Sequence, residues 1–121
     1  MIEKNPMTGI GPRSFRYAYP EYRDVNNRWK TQMHPHLLIL EITTESGFIG
    51  LLGYILCLYL LFLIFFKCNS KKHLFPFLLP VLVALFPLNA HMAFYGSVWS
   101  SMIWLLIFMY LSKAKLITYE T

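Results

Sequence analysis

Charge is what this chain lacks over about half of its length. From Gly47 to Phe66 no Asp, Glu, Lys or Arg occurs, and from Leu74 to Ser112 the same four residue types are absent again. At about 1.5 Å of rise per residue, the first run reaches roughly 30 Å, the thickness of a bilayer's hydrocarbon core. It therefore predicts a transmembrane helix. The second run is about twice as long as one crossing and is broken by Pro87, Asn89 and His91, so it predicts a hairpin of two crossings. Polar surface is correspondingly scarce: with 56% apolar and 17% aromatic residues, a chain of 121 residues fits an integral membrane protein better than a dissolved domain. Cysteine is nearly absent as well. Cys57 inside the first run and Cys68 at its basic end have neither the spacing of a metal site nor the setting of a disulfide framework, and both are expected to be free thiols. Residues 1–36 also lack the basic start and prompt apolar stretch of a secretory signal, so no cleaved targeting peptide is expected there.

What charge there is lies in the loops. The formal net charge is +5, but Lys and Arg are scattered and gathered on no one predicted face, which argues against a nucleic-acid partner and for membrane topology. The Lys67-Cys68-Asn69-Ser70-Lys71-Lys72-His73 loop, and the tail with Lys113 and Lys115, are expected on the cytoplasmic side. Residues 1–46 and the turn around Asn89 to Gly96 then face the periplasm of a bacterium. Six basic residues in the N-terminal segment count against this orientation, and five acids accompany them. The expected architecture is an all-α integral membrane protein, multi-pass in a bacterial inner membrane, with three transmembrane helices behind a periplasmic loop. Its parts are a loop over 1–46 containing a short helix 36–46, a crossing over 47–66 and a cytoplasmic loop over 67–73. A hairpin over 74–112 follows, with spans about 74–90 and 97–112, and then a cytoplasmic tail over 113–121.

Within residues 1–33, Asn5-Pro6, Gly9, Gly11-Pro12, Tyr19-Pro20 and Asn26-Asn27 punctuate the chain too often for a helical period, so an irregular loop is expected. Pro35 or His36 opens a short helix to Ser46, on which Glu41 and Glu45 share one side. If that helix runs on unbroken, Gly47 and Gly50 fall within roughly 40° of His36 around the axis. Two readings of these glycines stand side by side. They form a packing seam between helices, or they let a lipid-linked substrate approach the backbone below an imidazole at the membrane surface.

The order of motifs resembles one known family. His34-Pro35-His36, then ten residues to Gly47-Phe48-Ile49-Gly50 and an apolar span, is similar to the signature of bacterial O-antigen ligases and their O-antigen polymerase relatives. Upstream, Asn5-Pro6-Met7-Thr8-Gly9-Ile10-Gly11-Pro12-Arg13-Ser14-Phe15-Arg16 resembles that family's loop, and downstream Phe86 to Ser97 resembles the segment before its last span. Leu37 departs from the pattern, because the family usually carries Asn, Ser or Gln beside its histidine. The enzymes are also considerably longer. The resemblance therefore implies a C-terminal fragment of a larger polytopic, GT-C-like glycosyltransferase, with Met1 falling where the family is in mid-sequence and a truncated reading frame expected.

The activity implied is transfer of a glycan from undecaprenyl diphosphate to an acceptor sugar, lipid A core or another glycan, at the periplasmic face. O-antigen polymerase is the alternative, and a non-catalytic membrane remnant the other. No cofactor and no metal is implied, since His34 and His36 with Glu41 lack a further well-placed donor. An imidazole can accept a proton near neutral pH without a metal, and His36 is the candidate base for the acceptor hydroxyl. Arg13 and Arg16 are candidates for the departing diphosphate, because guanidinium groups pair with phosphate oxygens. For either arginine alone, a solvated residue answering Glu3, Glu21 or anionic headgroups is an equal reading. His34 either positions His36 or occupies the turn that Pro35 imposes, and His91 either lines the acceptor side or sits at the interface among headgroups. The partners expected are the lipid-linked glycan, its acceptor, membrane lipids, and the front part of the enzyme within a longer frame or as a separate chain.

Overall fold

Helices account for all regular structure among the described residues, which in this computed structural model are 1–22, 35–89 and 94–120. In chain order they are α1 (Phe15–Tyr22), α2 (Leu38–Lys67), α3 (Lys71–Ala84) and α4 (Ser97–Glu120). Two helices are long and apolar enough to cross a membrane: Leu38–Lys67 and Ser97–Ile117. Only 6% of the most apolar stretch of α2 is buried inside the protein, which separates it from the core helix of a dissolved domain. α3 has 14 residues, about 21 Å by the same rise, and carries Pro76 and Pro80, each of which removes one N–H from the helical ladder.

The core lies where α3 packs on α4 and, less extensively, on α2. Leu74, Leu78 and Val81 of α3 meet Ile103, Ile107 and Tyr110 of α4 there. Tyr110 is fully buried, and its hydroxyl donates to the Leu61 carbonyl at 2.7 Å, tying α4 to α2. The Tyr54 hydroxyl donates to the Leu85 carbonyl and ties α2 to the end of α3. Outward from this core the side chains are large and apolar, including Leu52, Ile55, Leu56 and Tyr59 on α2.

Two expectations change. Residues 15–22 are helical rather than irregular, with Phe15 buried as the anchor and Pro20 tolerated near the end of a single two-turn piece. The helix through the His36–Gly47 region begins at Leu38, and it is not continuous: Gly47 has φ 63° and ψ −159°, a backbone region that belongs to glycine almost alone. The rotation that would put Gly47 and Gly50 on the His36 face does not carry across such a residue. The helix reads as an outer segment, 38–46, and an inner segment, 48–67.

Candidate functional site

A break in a helix orphans backbone groups on both sides. In an unbroken helix the N–H groups of Phe48 and Ile49 would bond to the carbonyls of Thr44 and Glu45. Here the N-terminal loop takes the place of both partners. The Pro6 carbonyl accepts from Phe48 N–H at 2.9 Å, and the Met7 carbonyl accepts from Ile49 N–H at 3.2 Å. On the other side, Ile10 N–H donates to the Thr44 carbonyl at 3.0 Å and Gly11 N–H to the Glu45 carbonyl at 2.9 Å. Two helical bonds are exchanged for four to the loop. The backbones touch so closely that only glycine fits on either side. A Cβ on Gly9 would collide with the Glu45 carbonyl, and one on Gly47 with the Met7 carbonyl.

Glu45 completes the junction. It is 2% exposed, and its carboxylate accepts from the backbone N–H groups of Arg13 and, at 3.3 Å, Phe15. Those bonds hold Arg13 at φ 63°, a left-handed conformation unusual for a side-chain-bearing residue. Glu41, one turn earlier and 1% exposed, accepts from the Tyr95 N–H at 3.3 Å. The Tyr95 hydroxyl is bonded to Ser46, and burial pushes its phenol above the ordinary range, against the opposing effect of that bond. At the outer end, the first N–H groups of α2 are capped by the segment following α3: Leu38 donates to the Asn89 carbonyl at 3.3 Å and Ile39 to the Pro87 carbonyl at 3.1 Å. Residues 6–15, together with Pro87, Asn89 and Tyr95, thus meet the short outer segment of α2 from distant parts of the sequence.

No family model, curated protein or solved structure matches this chain. His36 is exposed, two residues ahead of α2. Arg13 is exposed, with its backbone fixed at Glu45. The Arg13 backbone N–H reaches the Glu45 carboxylate near the end of the outer segment, whereas His36 precedes its start. Arg16 is exposed on α1 and folds over Tyr17, its guanidinium carbon 4.5 Å from the ring centroid and its Nη2 donating to the Tyr17 hydroxyl. Glu21, one of the acids that would answer the arginines, is instead 3.6 Å from Lys4. His34 and His91 lie outside the described residues.

The residues that sequence reasoning passed over are Glu45, Ser46 and Tyr95. A signal for Glu45 was present: two carboxylates four apart on an otherwise apolar helix are costly to bury unless something donates to them. The donors are backbone N–H groups of a distant loop, which no local pattern announces. Behind Tyr95, a mainly apolar cavity of about 340 Å³ opens between α2 and α4, lined by Gly50, Gly53, Tyr54, Cys57 and Trp104 among others. Gly53 borders open space, and a Cβ there would meet nothing within 4 Å, whereas a Cβ on Gly50 would collide with the Ser46 side chain.

Proposed function

We propose that this chain is the C-terminal, O-antigen ligase-related part of a membrane-embedded GT-C-like glycosyltransferase, moving a glycan from undecaprenyl diphosphate to a lipid A core sugar at the periplasmic face of a bacterial inner membrane. One observation carries the reading. Of the three stretches that resemble the family, the one containing the outer segment of α2 is met there by described residues of both others, Pro6 to Phe15 from the first and Pro87, Asn89 and Tyr95 from the third. A chance set of short motifs has no reason to be joined by hydrogen bonds.

In this reading α2 and α4 cross the bilayer, and α3 with residues 85–89 makes the third crossing. His36 takes the proton of the acceptor hydroxyl as that oxygen attacks the anomeric carbon. The bond from that carbon to the diphosphate oxygen breaks, and the lipid diphosphate leaves with the electron pair. Arg13 and Arg16 stabilise its charge. His34 positions His36, and His91 lines the acceptor side. The uncovered apolar face of α2 (Leu52, Ile55, Leu56) is met by lipid and by further helices, from the same frame or from a separate chain.

The test is genetic and read on lipopolysaccharide gels. Deletion of the gene is expected to abolish the O-antigen ladder, and the chromosomal His36→Ala variant to do the same while the protein remains in the membrane. A normal ladder after deletion would overturn the reading and leave a non-catalytic remnant. A ladder lost on deletion but normal with His36→Ala would remove His36 from the mechanism. Core carrying a single repeat unit, rather than bare core, would assign the polymerase activity instead.

A further inference from the structure

The opposite end of the molecule carries a second arrangement that glycan transfer does not use. Lys67 closes α2 and Lys71 and Lys72 open α3, all three exposed. Phe77 of α3 shares a groove with Phe108 to Leu116 of α4, while Leu85 borders a cavity with Ile103 and Trp104, so α4 runs antiparallel to α3 and Lys113 lies towards the Lys71 end. No Asp or Glu occurs in the sequence between Glu45 and Glu120, so at this end Lys67, Lys71, Lys72 and Lys113 outnumber Glu120, which closes α4. A shallow, open groove of about 460 Å³ runs along α3 and α4, lined by Phe77, Phe108, Met109, Ser112, Lys113 and Leu116, so that Lys113 is the lysine on its wall and Lys71 and Lys72 lie further along α3. That volume falls within the range of about 300–1,000 Å³ usual for small-molecule sites. Lys113 stands on the wall of an apolar groove whose other polar member is the Ser112 hydroxyl.

We propose that this groove binds an anionic phospholipid, its phosphate held by Lys71, Lys72 and Lys113 and one acyl chain laid along Phe77, Phe108, Met109 and Leu116. Charge complementarity selects the occupant. A neutral lipid would fill the groove equally well but leave the lysines uncompensated at a low-dielectric boundary, whereas an anionic headgroup neutralises them. A free phosphate would meet the charge but leave the apolar wall uncovered. The site is independent of the proposed transferase chemistry, because it lies at the other end of α2 from His36.

The experiment measures the association of spin-labelled phosphatidylglycerol and phosphatidylcholine with the full chain in phosphatidylcholine bilayers. Phosphatidylglycerol is expected to be preferred, and each lysine changed to glutamine among Lys71, Lys72 and Lys113 should lower the preference by about five-fold, towards parity in the triple variant. Lys71→Arg with Lys72→Arg should keep it, and added salt should weaken it in the unmodified chain, which tests the site even if the glutamine variants fail to fold. Met109→Trp, which fills the groove, should reduce association of both lipids. Equal association of the two lipids with the unmodified chain, or an undiminished preference in a folded triple variant, would overturn the proposal. Displacement of the labelled lipid by inorganic phosphate would reduce the site to a simple anion site and overturn it too.

Discussion

Single residues decide whether the helix break exists. Gly47 holds a conformation that other residues strongly resist, and its Cα faces the Met7 carbonyl, so Gly47→Ala is expected to destabilise the protein by at least ~1–3 kcal/mol. Gly9→Ala should act alike, since it thrusts a methyl group into the Glu45 carbonyl. Gly53→Ala is the control: with open space around it and ordinary helical geometry, it should be neutral or stabilising by about 0.5–1 kcal/mol. Thermal unfolding in detergent, followed by circular dichroism, ranks the three. Arg13 permits a cleaner separation of structure from chemistry. Because it already sits at φ 63°, Arg13→Gly relaxes the backbone while removing the guanidinium. The expected outcome is a protein as stable as the parent with a diminished O-antigen ladder. A full ladder would show that the guanidinium has no part in the reaction.

At the scale of elements, the outer segment of α2 owes its place to partners outside itself. Its first N–H groups are capped by Pro87 and Asn89, its last carbonyls by Ile10 and Gly11, and the start of the inner segment by Pro6 and Met7. The amides of Phe48 and Ile49 are therefore expected to exchange slowly with deuterium although they begin a helical segment, and Gly9→Ala should accelerate both. Rapid exchange in the parent would contradict the loop contacts. Much of this was legible beforehand and some was not. The uncharged runs pointed to α2 and α4, since charge-free length is a direct reading of what a bilayer tolerates. The break at Gly47 was hidden because a glycine in an apolar run is equally common in a straight membrane helix and in a broken one. What decides between them is the Asn5–Pro12 loop, forty residues upstream, whose carbonyls offer themselves where the helical ones fall away. α1 was missed because Pro20 reads as punctuation, although a proline in the second turn of an eight-residue helix forfeits only one hydrogen bond.

For the whole molecule, polarity divides along the helix axes. One end gathers the loop junction, the buried Glu41 and Glu45, His36 and Arg13, and the other gathers Lys67, Lys71, Lys72 and Lys113. Between them the surface is apolar and largely uncovered, as a bilayer or further helices require. The buried hydroxyl of Tyr110 ties this middle layer together, and Tyr110→Phe should cost about 1 kcal/mol through the bond it loses to Leu61. The orientation of the whole follows from which end faces the cytoplasm, and every functional statement about His36 rests on that orientation. The direct measurement is cysteine accessibility in intact cells, with Cys57→Ser and Cys68→Ser as background and single cysteines placed at His36 and Ser70. A membrane-impermeant maleimide should label the cysteine at 36 from outside the inner membrane and leave the one at 70 unlabelled until the cells are opened. Labelling of position 70 alone from outside would place the imidazole in the cytosol and contradict glycan transfer at the outer face.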